Sequence, residues 1–161
     1  MKTYKMKKVL IALDLDPTAQ KVAETGYTFA KTMEAEVILV HVMVDSMYYS
    51  SIENFPIMGY TGSVIAPLLL NSGNDSKNES QNYLDKIKHH LGDNTIQTIV
   101  KEGDFADIIL MTAEELKVDV IVMGSHSHKW LEEVLMGSVT EKVLHNSSIP
   151  LFIIPTKNSK K

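Results

Sequence analysis

Five short apolar runs, Val9–Leu13, Val37–Val44, Ile96–Val100, Val118–Met123 and Ile149–Ile154, are spaced along the chain with helix-length segments between them. Most are rich in Val and Ile and continuous rather than alternating, the pattern of strands buried on both faces. Such strands need helices above and below, so the chain reads as an α/β protein with a mostly parallel sheet and right-handed crossovers. The third run carries the polar Gln97 and Thr98 and reads as an edge strand.

The intervening segments carry helical periodicity. Asp16 is placed to cap a helix with Pro17 at its first position and Val22, Gly26, Phe29, Ala30 and Met33 on one face. A second helix over 79–91 turns Tyr83, Leu84, Ile87 and Leu91 inward, and a third over 104–116 uses Phe105, Ile108, Ile109 and Leu116. The last begins near Gly137-Ser138 and buries Val139, Val143 and Leu144. Residues 45–78 break this rhythm with Pro56, Gly59, Gly62, Pro67, Gly73 and a Ser/Asn/Asp cluster, and read as a long functional loop insert. Residues 1–156 then form a single domain and 157–161 a basic tail.

Composition narrows the partners. With 44% hydrophobic residues the chain can build a core, and a net charge of −4 argues against a nucleic-acid partner. The absence of cysteine removes disulfides, thiolate metal sites and thiol nucleophiles. The apolar run after the N-terminal lysines is too short for a signal segment, and no stretch has the length of a membrane span. The expectation is a soluble cytoplasmic protein.

In an open parallel sheet, ligands bind beyond the carboxyl ends of the strands. The richest such position follows the fourth run: Gly124-Ser125-His126-Ser127-His128, an amphipathic stretch, then Gly137-Ser138-Val139-Thr140-Glu141. A glycine with hydroxyl residues at a helix start suits an anion, because free N–H groups and hydroxyls converge there. The same Ser138-x-x-Glu141 is equally a capping box, and chemistry alone leaves both readings open. His126 and His128 alternate in a loop without further ligands, which does not support a zinc site. There is no Gly-x-Ser-x-Gly elbow, no phosphate-binding Gly-x-x-x-x-Gly-Lys run, and no Gly-x-Gly-x-x-Gly after the first strand. Lys101-Glu102-Gly103 lacks the aspartate that a phospho-acceptor receiver domain needs after its third strand. His41, inside an apolar run, reads as a satisfied buried histidine, and Asp104 as a helix cap.

Gly124-x-x-Ser127, nine residues, then Gly137-Ser138 resembles the Gly-x-x-Gly, nine residues, Gly-Ser/Thr pattern of the ATP-binding type of the universal stress protein family. The similarity extends to Val9–Asp14, Val37–Val42, Val118–Gly124, the 137–144 helix and the closing 149–154 strand. The resemblance implies a three-layer open twisted parallel sheet of five strands in the order 3-2-1-4-5, with helices on both faces, in a Rossmann-like adenine-nucleotide-binding fold. It implies a site with Ala12 and Asp14 at the end of the first strand and Val42 at the adenine edge. Met123 and Gly124 would line the ribose and adenine side, His126 and Ser127 would lie near the phosphates, and Gly137, Ser138, Val139 and Thr140 would cradle them. The ligand it implies is ATP or another adenine nucleotide, with Mg2+ held by the phosphates. Ser127 departs from the pattern by standing at its second glycine; if that position needs positive φ, serine costs roughly 1–2 kcal/mol. The family further implies a homodimer through Pro150–Ile154 and a regulatory, stress-response role with little or no hydrolysis. The alternative is a nucleotide-independent dimeric interaction module whose 45–78 loop recognises a partner.

Overall fold

The computed structural model describes residues 5–43, 66–125 and 137–156, with side chains from residue 76 onward in the middle stretch. The strands are β1 (Lys8–Ala12), β2 (Glu36–Met43), β3 (Gln97–Glu102), β4 (Val120–Gly124) and β5 (Leu151–Ile154). They alternate with α1 (Ala19–Thr32), α2 (Ala66–Leu91), α3 (Phe105–Glu115) and α4 (Ser138–Asn146). All pairings are parallel and the strand order is β3-β2-β1-β4-β5, as the resemblance implied. The polar third strand lies at one edge and β5 at the other.

Side-chain alternation along the central strands divides the core in two. Val9 and Ile11 of β1 and Val37 and Leu39 of β2 meet Val22, Ala30, Leu84 and Ile87 on the α1/α2 face. Leu10, Ile38, Val40 and Val42 meet Ala106, Ile109, Ala113 and Val143 on the α3/α4 face. Gly26 sets the approach of α1 to the sheet, since a Cβ there would lie 2.9 Å from Ile11 Cδ1 and 3.0 Å from Val122 Cγ1.

Several local expectations are corrected. α1 begins at Ala19 rather than Pro17: Asp16 Oδ1 accepts the Thr18 amide at 2.8 Å and its carbonyl accepts the Ala19 amide, so Asp16 caps a tight turn that leads into the helix. α2 starts at Ala66 rather than 79, so 66–78, assigned to the loop insert, is helical. The remainder of that insert, 45–65, lies outside the described residues. On α3 the buried stripe is Ala106, Ile109, Thr112 and Ala113, while Phe105 is exposed. On α4, Val143 is buried as expected and Val139 half-buried, but Leu144 is 48% exposed and Thr140 is buried instead. In both helices the small residues set the contact phase, whereas sequence periodicity weighted the large ones. The capping box does not form: Gly137 is the N-cap of α4 with no side-chain cap, and Ser138 is its exposed first residue. Asp104 does cap α3, accepting the Asp107 amide at 3.1 Å.

Candidate functional site

β1 leads to α1 on one face of the sheet, and its neighbour β4 leads to α4 on the other. A crevice must open where the two chains part, beyond the carboxyl ends of both strands. A cavity of about 450 Å³ occupies this position, a size suited to a small organic ligand. Of the residues singled out from the sequence, Ala12, Asp14, Val42, Met123, Gly124, Val139 and Thr140 line it. Gly137 is buried just before α4 and Ser138 is exposed; neither is part of the lining, and His126 and Ser127 lie outside the described residues.

The wall on the α3/α4 side is apolar, with Val42, Met123 and Val139 joined by Phe105 and Ile109. The start of α4 closes it. Glu141 makes the first helical hydrogen bond to Gly137, so the amides of Ser138, Val139 and Thr140 have no partner within the helix. Thr140 is 3% exposed, and its hydroxyl donates to the Gly124 carbonyl at 3.0 Å. Its one hydroxyl hydrogen is therefore committed to the protein, leaving only its amide for an anion.

The base of the 126–136 segment is tied to both neighbouring strands. The Gly137 amide donates to the Ser125 carbonyl at 2.7 Å, and the Ser125 amide to Ile154 of β5 at 2.9 Å. The Thr156 amide donates to Ser125 Oγ at 3.2 Å, which fastens the chain after β5 to the same residue. Lys142 of α4 pairs with Asp104 and Asp107 at the start of α3, so these two helices are held together beside the cavity. Lys142 is pushed up by Asp104 and then Asp107, and Asp104 is drawn down chiefly by Lys142. The three groups are exposed, so water screens these pairs and they add little to stability.

The α1/α2 side is more polar. Asp14 is half-buried and accepts the Asp16 amide at 3.2 Å. Burial, then the charges of Asp14 and Asp16, push the Tyr83 hydroxyl above its ordinary value, which marks a negative local field. His41 is buried as expected, with Nδ1 2.8 Å from the Leu13 carbonyl. A carbonyl only accepts, so Nδ1 carries the hydrogen, and in the neutral form of such a ring Nε2 is an acceptor. Ser76, Glu79 and Ser80 of α2 complete this side. Sequence reading missed all three: Ser76 fell in the loop insert, and Glu79 and Ser80 stood on the helix over 79–91 with no role; the clue was a serine at 80 on the stripe of Leu84 and Ile87.

No Lys is among the described residues lining the cavity, and the chain contains no arginine. No group of three His, Asp or Glu among the described residues could hold a metal ion. Nor is any described helix long and apolar enough to cross a membrane.

A βαβ fold with its crevice at β1/β4 is common to many proteins, and comparison with known ones decides between them. Residues 5–155 match the family described as Universal stress protein family. The chain belongs to the universal stress protein family. It is 32% identical over 160 residues to Universal stress protein MJ0577 of Methanocaldococcus jannaschii, a match covering 95% of this chain and 97% of that one. The solved structure of MJ0577 superposes with a TM-score of 0.73 at 29% identity, over 97% of this chain and all of that one. A universal stress protein solved in complex with cAMP superposes with a TM-score of 0.66 over 96% of this chain and 100% of that one; at 16% identity the likeness is one of fold.

Proposed function

We propose that this universal stress protein is an adenine-nucleotide-binding regulator of a stress response that turns its ligand over slowly or not at all. The observation that carries the reading is the joining of an apolar slot to an uncapped helix start in one cavity. Val42, Met123 and Val139 suit the faces of a purine, and the amides of Ser138, Val139 and Thr140 suit a phosphate. Without arginine, backbone amides are the natural means of holding that phosphate here. Asp14, just after β1, contacts the adenosine moiety. Gly124 and Ala12 let the ligand approach the strand ends, and His126, Ser127, Gly137 and Ser138 complete the phosphate side. Mg2+ enters with the phosphates rather than through a protein cluster. The relative solved with cAMP supports an adenine nucleotide as the ligand class for this architecture. The protein acts in the cytoplasm as a homodimer joined along β5.

Calorimetric titration with ATP, ADP and GTP tests the reading. Binding of the adenine nucleotides, with turnover far below the ~10 s⁻¹ median of ordinary enzymes, is the expected result. No detectable binding at millimolar nucleotide would overturn it in favour of an interaction module.

A further inference from the structure

The α1/α2 side of the cavity holds polar groups that the nucleotide reading does not use. Ser80 is 2% exposed and lines the cavity, and among the described residues nothing hydrogen-bonds its hydroxyl. Its oxygen opens onto the cavity, where a ligand group can take the place of water. His41 is 8% exposed on the same side, and the Leu13 bond engages only Nδ1, leaving Nε2 without a described partner. Glu79 stands beside them and no Lys lines the cavity, so an anion is disfavoured there. What fits is a group that offers hydrogens: a neutral hydroxyl or an ammonium.

We propose that this side of the cavity is a subsite for a hydrogen-bond donor, a ligand hydroxyl or ammonium group, received by Nε2 of His41 and Oγ of Ser80 with Glu79 at the rim. It rests on the nucleotide reading of the adjoining wall but shares none of the purine or phosphate contacts. The donor has two sources, a sugar hydroxyl of the nucleotide or a small amine lying beside it.

The test is the ¹⁵N resonance of His41 Nε2 in the full chain, at about pH 8 where an ordinary imidazole is neutral. An unprotonated ring nitrogen moves upfield when it accepts a hydrogen bond. The probes are ADP, 2′,3′-dideoxy-ADP, and ethanolamine with and without dideoxy-ADP. Movement with ADP but not dideoxy-ADP assigns the sugar hydroxyl; movement only on adding ethanolamine assigns a separate amine. His41→Asn keeps an amide hydrogen for Leu13 while deleting Nε2. With Ser80→Ala it should weaken the ligand that moves the resonance by about fivefold to tenfold, and dideoxy-ADP by less than that. An Nε2 that no probe moves, or wild-type affinity in both variants, overturns the subsite. Failure of the nucleotide reading registers separately, as Val139 methyl signals that no nucleotide perturbs; ethanolamine alone then decides the subsite in the same way.

Discussion

The hydroxyl of Thr140 donates to the carbonyl of Gly124 at 3.0 Å, joining the start of α4 to the last residue of β4. These are the two ends between which the 126–136 segment runs, so this bond sets the distance between the glycine of the strand and the free amides of the helix. Thr140→Val keeps the shape and leaves the Gly124 carbonyl unpaired. It should cost about 1 kcal/mol of stability in urea unfolding and weaken nucleotide binding several-fold, while Thr140→Ser retains both. Full affinity in Thr140→Val would mean that the spacing is held by other contacts.

The five strands and their burial were legible because continuous Val and Ile runs have few other uses, and the strand order followed from the family resemblance. Helix phase was less legible. On α3 and α4 the residues at the contact are Ala106, Ala113 and Thr140, small enough for close approach and too small to stand out in an apolar pattern. Of the cavity lining, Ala12, Asp14, Val42, Met123, Gly124, Val139 and Thr140 were named from the family resemblance, whereas Phe105 and Ile109 of the apolar wall were not. The places of Ser80 and His41 in the cavity lining were not, since each depends on which way a side chain on an apolar stripe faces once α2 is laid against β2.

Gly26 offers a test of packing. Alanine there would gain about 1 kcal/mol of helix propensity, yet its Cβ would press on Ile11 and Val122 in a filled core, which costs about 1–3 kcal/mol. Both contacts are with fully buried side chains, so the steric term should win. Gly26→Ala is expected to destabilise by about 1 kcal/mol in denaturant unfolding; a more stable variant would show that the helix can lift.

Asp93, just after α2, ties that helix to α1. Lys31 lies 2.8 Å from its carboxylate, and the Thr95 amide and Tyr27 hydroxyl donate at 2.9 and 3.0 Å. Lys31 first, then Thr95 and Tyr27, hold this carboxyl well below the usual range. A carboxyl depressed in the folded state contributes fully above its unfolded value of about 4 and loses that contribution as the pH falls. Stability of the wild type should therefore exceed that of Asp93→Asn at neutral pH, with the gap narrowing below about pH 4. A gap that stays constant to acid pH would assign the effect to the amide's geometry instead of its charge.

β5 ends the sheet, and its two sides must be separated to test association. The carbonyls of Pro150 and Ile154 accept amides from the β4 side, so alternation turns the N–H and C=O groups of Leu151 and Ile153 to the free edge. Phe152 belongs to the fold itself, with its ring 4.5 Å from that of Phe29 of α1. Truncating Phe152 to alanine should cost about 2 kcal/mol of protomer stability, less than the 3–5 kcal/mol of a fully buried ring because it is half-buried. Loss of association in that variant would be uninformative on its own. Ile153→Pro is the cleaner test: it removes an outward amide and spares the bonds to β4, and proline is tolerated on edge strands. If the proposed dimer pairs β5 with β5, sedimentation should show a wild-type dimer and an Ile153→Pro monomer that still unfolds cooperatively. A wild type that stays monomeric at high concentration, or an Ile153→Pro variant that remains dimeric, would rule out this edge as the interface.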